Sequence, residues 1–272
     1  MKIAVIGLGK MGEALIRGLH RKEAGKFKVE GTTRSKESAS EAAKRLDIPV
    51  HNDNEKAAKD AEVILLCVKP HQAEKVLQGF ASSLHSKQLL ISILTGITTE
   101  QLSRWAGGKI PVIRSMPNMP AQIGMGMSVM AAGPGVKQEH IGIAEKIFST
   151  VGKTAVVEEH LMDGVTGLNG SGPAYLYLVI EALSEAGVKV GLPRKTAMLI
   201  AAQNLLGAAE MVLERGVHPA ALKDEVTTPA GCTVDGLMAL EEGRLRATLI
   251  KAVLAATKKA RPPRAFFTPC SS

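Results

Sequence analysis

Gly7-Leu8-Gly9-Lys10-Met11-Gly12 narrows what this chain can fold into more than any other segment. It follows a short apolar, β-branched run at residues 3–6 and precedes an amphipathic pattern in which Ala14, Leu15, Gly18 and Leu19 share one side. A G-x-G-x-x-G between strand and helix has a mechanical reason for each glycine. Gly7 permits the tight turn, Gly9 lets a pyrophosphate approach the backbone, and Gly12 lets helix and strand pack closely. The anion then lies at a helix N-terminus, where free amides and the helix dipole favour negative charge. Leu8, Lys10 and Met11 complete the cofactor-binding turn.

The pattern that follows supports a sheet of βαβ units. Strand-like runs at 27–32, 61–68, 89–93, 112–114 and 127–130 alternate with helical segments such as 37–46, as in a parallel sheet covered on both faces. Past residue 158 the strand signal disappears. Segments 159–168, 173–188, 194–215 and 234–259 read as helices, and 197–209 is apolar nearly all round. So many apolar helix faces cannot be hidden in one small domain, which predicts a homodimer intertwined through this half. The expected fold is α/β: an N-terminal Rossmann-type doubly wound sheet over 1–157, an all-α dimerisation and substrate domain over 158–259, and an irregular tail over 260–272.

The end of the second strand selects the cofactor. An NAD-preferring site places Asp or Glu about 20 residues past the glycines, where it bonds the ribose hydroxyls. Here the stretch reads Gly31-Thr32-Thr33-Arg34-Ser35-Lys36, without an acid; Glu30 falls within the strand and Glu37 starts the next helix. Arg34 can hold a 2′-phosphate through its guanidinium fork, with Ser35 and Lys36 adding donors and Thr33 beside them as a further cofactor-binding residue. NADP(H) is therefore the expected cofactor, with NAD(H) as the alternative. Val68, Lys69 and Pro70 follow the third major strand at its carboxyl end, where ligands bind in open α/β sheets, and their backbone would line the nicotinamide ribose.

Charge and composition remove other classes. The chain has 272 residues and a formal net charge of +8, with Lys258, Lys259, Arg261 and Arg264 clustered at its C-terminal end. Aromatic residues make up only 3%, too few for the stacking platforms of single-stranded nucleic-acid recognition. Nucleic-acid binding through the basic tail would show a steep salt dependence that truncation at Ala260 abolishes. No apolar run of the length a bilayer demands is read, and no signal peptide, so the expected location is cytoplasmic, without a membrane partner. Cys67, Cys232 and Cys270 are odd in number and lack zinc-ligand spacing, and the histidines show no i, i+4 pairing, so no metal is expected. Cys67 reads as a buried strand residue, and Cys232 is the thiol to test for reactivity.

The second half carries the more specific signal. Asp224-Glu225-Val226-Thr227-Thr228-Pro229-Ala230-Gly231-Cys232-Thr233-Val234-Asp235-Gly236 resembles the signature of the pyrroline-5-carboxylate reductase family. Further segments agree in the right order over roughly residues 1–258. They are Val68-Lys69-Pro70, Arg114-Ser115-Met116-Pro117-Asn118, Gly167-Leu168-Asn169-Gly170-Ser171-Gly172-Pro173 and Gly187-Val188-Lys189-Val190-Gly191-Leu192-Pro193. Two features depart from it: Cys232 stands where the family usually has Gly, Ala or Thr, and the tail beyond Lys259 differs from the family's helical end.

The resemblance implies reduction of the cyclic imine 1-pyrroline-5-carboxylate to L-proline, the final step of proline biosynthesis, with hydride from NADPH. A protonated imine is already electrophilic, so neither a nucleophile nor a metal is required. Gly231, Cys232 and Thr233 would offer amides to the substrate carboxylate at a helix start near Val234. Thr228 would add a hydroxyl to the carboxylate, and Thr233 would bond the ring nitrogen and relay its proton. On spacing alone both threonines equally fit helix N-capping. Asn54 resembles the family's cofactor-contacting Asn, and Asn118 would add a polar contact near the nicotinamide; either fits a turn as well. The partners implied are a small-molecule substrate and a second copy of the chain, with a larger ring such as a decamer as the extension. Two competing readings are a hydroxyacid-dehydrogenase-type enzyme, which would need a Lys near Ser171–Tyr175, and a non-catalytic NADPH-binding paralogue.

Overall fold

Alternate residues of each central strand are buried on opposite faces, and this builds two cores. The computed structural model describes residues 1–22 and 25–260. Its first part runs β1 (Lys2–Ile6), α1 (Lys10–Lys22), β2 (Lys28–Thr32), α2 (Lys36–Leu46), β3 (Val50–His51), α3 (Asn54–Ala58), β4 (Val63–Leu66), α4 (Ala73–Gln78), β5 (Leu89–Ser92), α5 (Thr99–Trp105), β6 (Val112–Met116), β7 (Gly126–Ala132), α6 (Gln138–Phe148) and β8 (Gly152–Val156). Ile3, Val5, Val63, Leu65, Leu89 and Ile91 face Leu15, Ile16 and Leu19 of α1 and Ile147 and Phe148 of α6. Ala4, Ile6, Ile64, Leu66 and Leu90 face Ala57 of α3, Leu77 of α4 and Leu102 of α5. The period of two along a strand thus puts helices on both faces.

The eight strands lie in the order β3-β2-β1-β4-β5-β6-β7-β8. All neighbours are parallel except β6 and β7, which are antiparallel, Met116 opposite Val129. That pair is the one departure from the parallel order of the expected doubly wound sheet. Only a short turn, with a 3₁₀ stretch at Met119–Ile123, joins the two strands, too short for a parallel crossover. Val50–His51 and Gly152–Val156 are strands that the sequence reading passes over.

The second part holds α7 (Met162–Val165), α8 (Gly172–Lys189), α9 (Arg194–Arg215), α10 (Pro219–Glu225), α11 (Cys232–Glu242) and α12 (Leu245–Ala260). Segment 159–168 is not one helix. It passes from a 3₁₀ turn at Glu159–Leu161 through α7 to a π turn at Thr166–Gly170. The expected helix over 234–259 is two helices, broken where Arg244 takes a left-handed φ of 55° after Gly243. Residue 260 ends α12, and 261–272, including Cys270 and most of the expected tail, lie outside the described residues.

By contacts the chain forms two compact units. The first spans Met1–Ser171 with the described end of α12 from Ala255, and the second spans Gly172–Leu254. Strands end at Val156, close to the expected boundary at 158, but the turns up to Ser171 pack with the sheet: Met162 is buried against Met116 and Ala131. In the second unit Gly191 turns the chain at φ 98° and Pro193 starts α9. A Cβ at Gly187 would lie 2.7 Å from Cβ of Ala197, so glycine there lets α8 and α9 close on each other. Glu185 pairs with Arg194 across this turn, and the guanidinium holds that carboxyl below its usual range. Gly216 (φ 62°) ends α9, and Arg215 grips Glu225 of α10 through two hydrogen bonds of 2.6 and 2.9 Å.

Candidate functional site

The loop from β1 into α1 forms one wall of a cleft of about 780 Å³. Gly7 stands at φ 94°, and a Cβ there would lie 2.8 Å from Val68 Cγ1. The Gly7 amide donates to Thr32 Oγ1 at 3.3 Å and the Leu8 amide to the Thr32 carbonyl at 3.1 Å, which ties the loop to the end of β2. Gly9 faces open space, with nothing within 4 Å of where a Cβ would stand. At Gly12 a Cβ would lie 2.9 Å from the Gly7 carbonyl oxygen and 3.3 Å from Val5 Cγ1. Gly12 therefore belongs to the packing of α1, and Met11 packs against the core. Neither they nor Lys10 line the cleft.

Of the expected cofactor residues, Gly7, Leu8, Gly9, Thr33, Arg34, Asn54, Val68 and Lys69 line this one cleft, which opens at the carboxyl ends of β1, β2 and β4. Ser35 does not line it. Its hydroxyl caps α2, accepting from the Ser38 amide at 3.2 Å, and its carbonyl accepts from Thr33 Oγ1 at 3.2 Å. Pro70 starts a 3₁₀ turn after β4 and is likewise absent from the lining. Ser38, Asn52, His71, Gln72, Lys75 and Val76 also line the cleft, and the sequence reading did not single them out. His71 and Gln72 could have been found, because they are the next residues at the carboxyl end of β4. Lys75 and Val76 come one helical turn later, on α4.

No carboxylate is among the lining residues. Glu30 is engaged in β2, 3.0 Å from Lys2 and 3.4 Å from His51. Glu37 lies in the first turn of α2, where backbone and Ser35 hydrogen bonds hold its carboxyl below its usual range. Arg34 is exposed, with no hydrogen bond or ion pair among the described residues. An acid-free cleft with free cations, an open Gly9 and a left-handed Gly7 fits a dinucleotide with three phosphates. Cys67 forms part of the floor, and burial pushes its thiol up to about 12.

Asn118 has a different place from the one expected. Its Oδ1 accepts from the Met127 amide at 2.9 Å, and its Nδ2 donates to Asn169 Oδ1 at 3.0 Å. Asn169 Nδ2 in turn donates to the carbonyls of Met116 (2.7 Å) and Met127 (3.0 Å). The two amides lock the end of β6, the start of β7 and the π turn together, and Asn118 is not among the cleft residues. Nearby, Glu159 accepts from the Thr99 amide (2.7 Å), Thr99 Oγ1 (2.5 Å) and Arg114 Nη1 (3.1 Å). Arg114 is only 4% exposed.

In the second unit the loop from α10 to α11 carries the other expected residues. Ala230 takes a left-handed φ of 58°, and Gly231 is the residue before the first helical turn, which starts at Cys232 rather than near Val234. The Gly231 amide is occupied, donating to the Thr228 carbonyl at 3.0 Å. This leaves the amides of Cys232 and Thr233 open at the helix start. Neither threonine hydroxyl caps the helix, and neither has a partner among the described residues. Thr228 and Cys232 are exposed; Thr233 is half-buried.

The same unit exposes much apolar surface, including Leu178, Leu199, Leu213, Ile250 and Leu254. In α9 only Ala197 and Ala201 are buried. By length and composition α9 would be apolar enough to cross a membrane, which amends the expectation that no such segment exists. Among the described residues no His, Cys, Asp and Glu cluster could hold a metal.

A family model described as pyrroline-5-carboxylate reductase dimerisation matches residues 159–262, including all of α9. A second, described as NADP oxidoreductase, coenzyme F420-dependent, matches residues 2–96. A pyrroline-5-carboxylate reductase of Arabidopsis thaliana is 40% identical over 261 residues, 96% of this chain and 94% of that protein. That of Escherichia coli is 36% identical over 95% of this chain and 96% of that protein. Among solved structures, a pyrroline-5-carboxylate reductase of Coxiella burnetii superposes with a TM-score of 0.90 at 35% identity, covering 95% of this chain and 96% of that one. A Plasmodium falciparum pyrroline carboxylate reductase with NADP bound gives 0.84 at 32% identity, over 96% and 97%.

Proposed function

The chain belongs to the pyrroline-5-carboxylate reductase family, and we propose that it divides that family's chemistry between its acid-free cleft and its α11 loop. It is an NADP-dependent oxidoreductase that reduces 1-pyrroline-5-carboxylate to L-proline, the last step of proline biosynthesis. The nicotinamide cofactor supplies the hydride for the imine carbon. The observation that carries the assignment is the cleft at the carboxyl ends of β1, β2 and β4, with Arg34 unpaired and no carboxylate in its lining.

In this reading Gly7, Leu8 and Gly9 hold the pyrophosphate beside the N-terminus of α1, with Lys10, Met11 and Gly12 as its first turn. Thr33 and Arg34 serve the adenosine phosphate, Ser35 fixes their turn as the cap of α2, and Asn54 flanks the phosphate. Val68 and Lys69 serve the nicotinamide side, and Pro70 turns the chain after them. Asn118 acts through the Asn169 lock, as a positioning residue. On α11, the amides of Cys232 and Thr233 hold the substrate carboxylate, Thr228 adds its hydroxyl, and Gly231, where a Cβ would clash with Thr228 Oγ1, lets that hydroxyl close on the loop. The Thr233 hydroxyl hydrogen-bonds the ring nitrogen and relays to it the solvent proton that, with the cofactor's hydride on the imine carbon, completes the reduction to the amine. Free hydroxyls at both threonines, with Gly231 as the cap residue, support substrate contact over helix capping. The protein oligomerises through its helical half, which we assign as a homodimer with a larger ring such as a decamer built from it. The exposed apolar face of α9 lies in that interface, and the protein is cytoplasmic.

Thr233→Ala tests the assignment. Loss of a group that moves a proton lowers kcat by about a hundredfold, Thr233→Ser restores it, and the NADPH Kd stays unchanged. A Thr233→Ala enzyme with the parental kcat would remove this hydroxyl from the chemistry.

A further inference from the structure

Two neighbouring hollows share one wall, and the cation on that wall has no assigned task. The cofactor cleft is bordered by Asn52, Asn54, Lys75 and Val76, and the same four residues border a second hollow of about 530 Å³ closed by Asp53, Glu55, Gly79 and Phe80. Lys75 is exposed on α4, and its ammonium makes no ion pair or hydrogen bond among the described residues. Neither Asp53 nor Glu55 of the second hollow, nor its chain neighbour Glu74, forms an ion pair with it. Asp53 accepts from the Lys56 amide at 3.1 Å as the cap of α3, and Glu74 accepts from Gln78 at 3.3 Å. Arg34 borders the same cleft from the turn between β2 and α2. Asn52 lies in the turn after β3 and Asn54 opens α3, while His51 of β3 pairs with Thr32 at the end of β2.

We propose that Lys75 is a second cation for the adenosine 2′-phosphate, bordering the cleft from α4 while Arg34 borders it from the β2 turn, and that it thereby helps to set the preference for NADP over NAD. The proposal rests on the assignment of the cleft to NADP. A dianionic phosphate at the tip of β2 is held laterally by Arg34, whose fork satisfies two of its oxygens. Thr33 reaches the phosphate from that same turn and Asn54 is neutral, so a second cation there must come from another element. Lysine suits that position, because a compact ammonium on a four-carbon stem can adjust its reach as a point charge. A carboxylate in the lining would have opposed it, and the lining has none.

The test is calorimetric titration of the full-length protein with adenosine 2′,5′-bisphosphate and with AMP, which differ only in the 2′-phosphate. Lys75→Gln is expected to weaken the bisphosphate by about three- to tenfold, the range of a partly solvated charge contact. AMP affinity is expected to stay at the parental value, and Lys75→Arg to recover the bisphosphate. Equal weakening of both probes, or no change for either, would overturn the role of Lys75. If Arg34→Ala alone lost the bisphosphate preference, the NADP assignment would stand and the Lys75 role would fall. A parental protein that binds both probes equally would overturn the NADP assignment as well.

Discussion

Replacing Gly12 with alanine sets two effects of opposite sign against each other. Alanine is favoured over glycine inside a helix by about 1 kcal/mol, so propensity alone predicts a more stable protein. Packing predicts the reverse. The new Cβ would stand 2.9 Å from the Gly7 carbonyl oxygen, which is backbone and cannot swing aside, and 3.3 Å from Val5 Cγ1. Overpacking of this kind costs about 1–3 kcal/mol. The net expectation is a loss of about 1 kcal/mol, or about 2–4 °C in Tm for a domain of this size. Cofactor binding suffers too, because relief comes by shifting Gly7, whose amide and neighbour hold the loop to Thr32.

Gly9→Ala is the matched control. Nothing lies within 4 Å of its Cβ, and its φ is not left-handed, so the fold tolerates the methyl. The methyl does occupy the space through which a pyrophosphate would reach the backbone. Thermal melting at one fixed protein concentration and NADPH fluorescence titration separate the two variants: Gly12→Ala loses both stability and affinity, and Gly9→Ala loses affinity alone. A Gly12→Ala protein with raised Tm and parental NADPH affinity would refute the steric argument. Parental NADPH affinity in Gly9→Ala would mean that no phosphate lies on that loop.

Two more predictions concern the interior. Glu159→Ala leaves Arg114, 4% exposed, without its carboxylate and strips the Thr99 amide of its acceptor. Urea unfolding should show a loss of about 2–4 kcal/mol, and an unchanged midpoint would refute the pair's role. Cys67, held neutral with its pKa at about 12 by burial, should resist a thiol reagent at mildly alkaline pH in a Cys270→Ser protein while exposed Cys232 reacts. The unfolded chain releases the Cys67 proton near the ordinary value of 9.0 and the folded one only near 12. Stability from this group therefore falls as pH rises between them, and a Cys67→Ser protein should lose that slope.

The sequence makes some of these features readable and hides others for physical reasons. β1, β4 and α9 announce themselves, because a buried strand needs an unbroken apolar run and a long helix needs many apolar positions. β3 has only two residues, and β8, Gly-Lys-Thr-Ala-Val, is partly exposed along its length, so neither carries an apolar signal. The break between α11 and α12 falls on Arg244, a residue type with no preference for the left-handed region. At the site, the β1 loop and the β2 tip were legible because glycine spacing and a missing acid are local signals. Lys75 was not, since its place depends on how α4 packs beside β4. The roles of Asn118 and Asn169 were hidden for the same reason: their partners lie about 50 residues apart in sequence and meet only once β6, β7 and the π turn are folded.

Spectrophotometric oxidation of NADPH by the purified full-length protein with 1-pyrroline-5-carboxylate is the most direct measurement, with NADH and a series of 2-oxo acids as comparators. Rapid loss of NADPH with the imine, slower loss with NADH and none with the 2-oxo acids is the expected result. Tight NADPH binding without turnover of the imine, or turnover of a 2-oxo acid instead, would contradict the assignment of the α11 loop to this substrate.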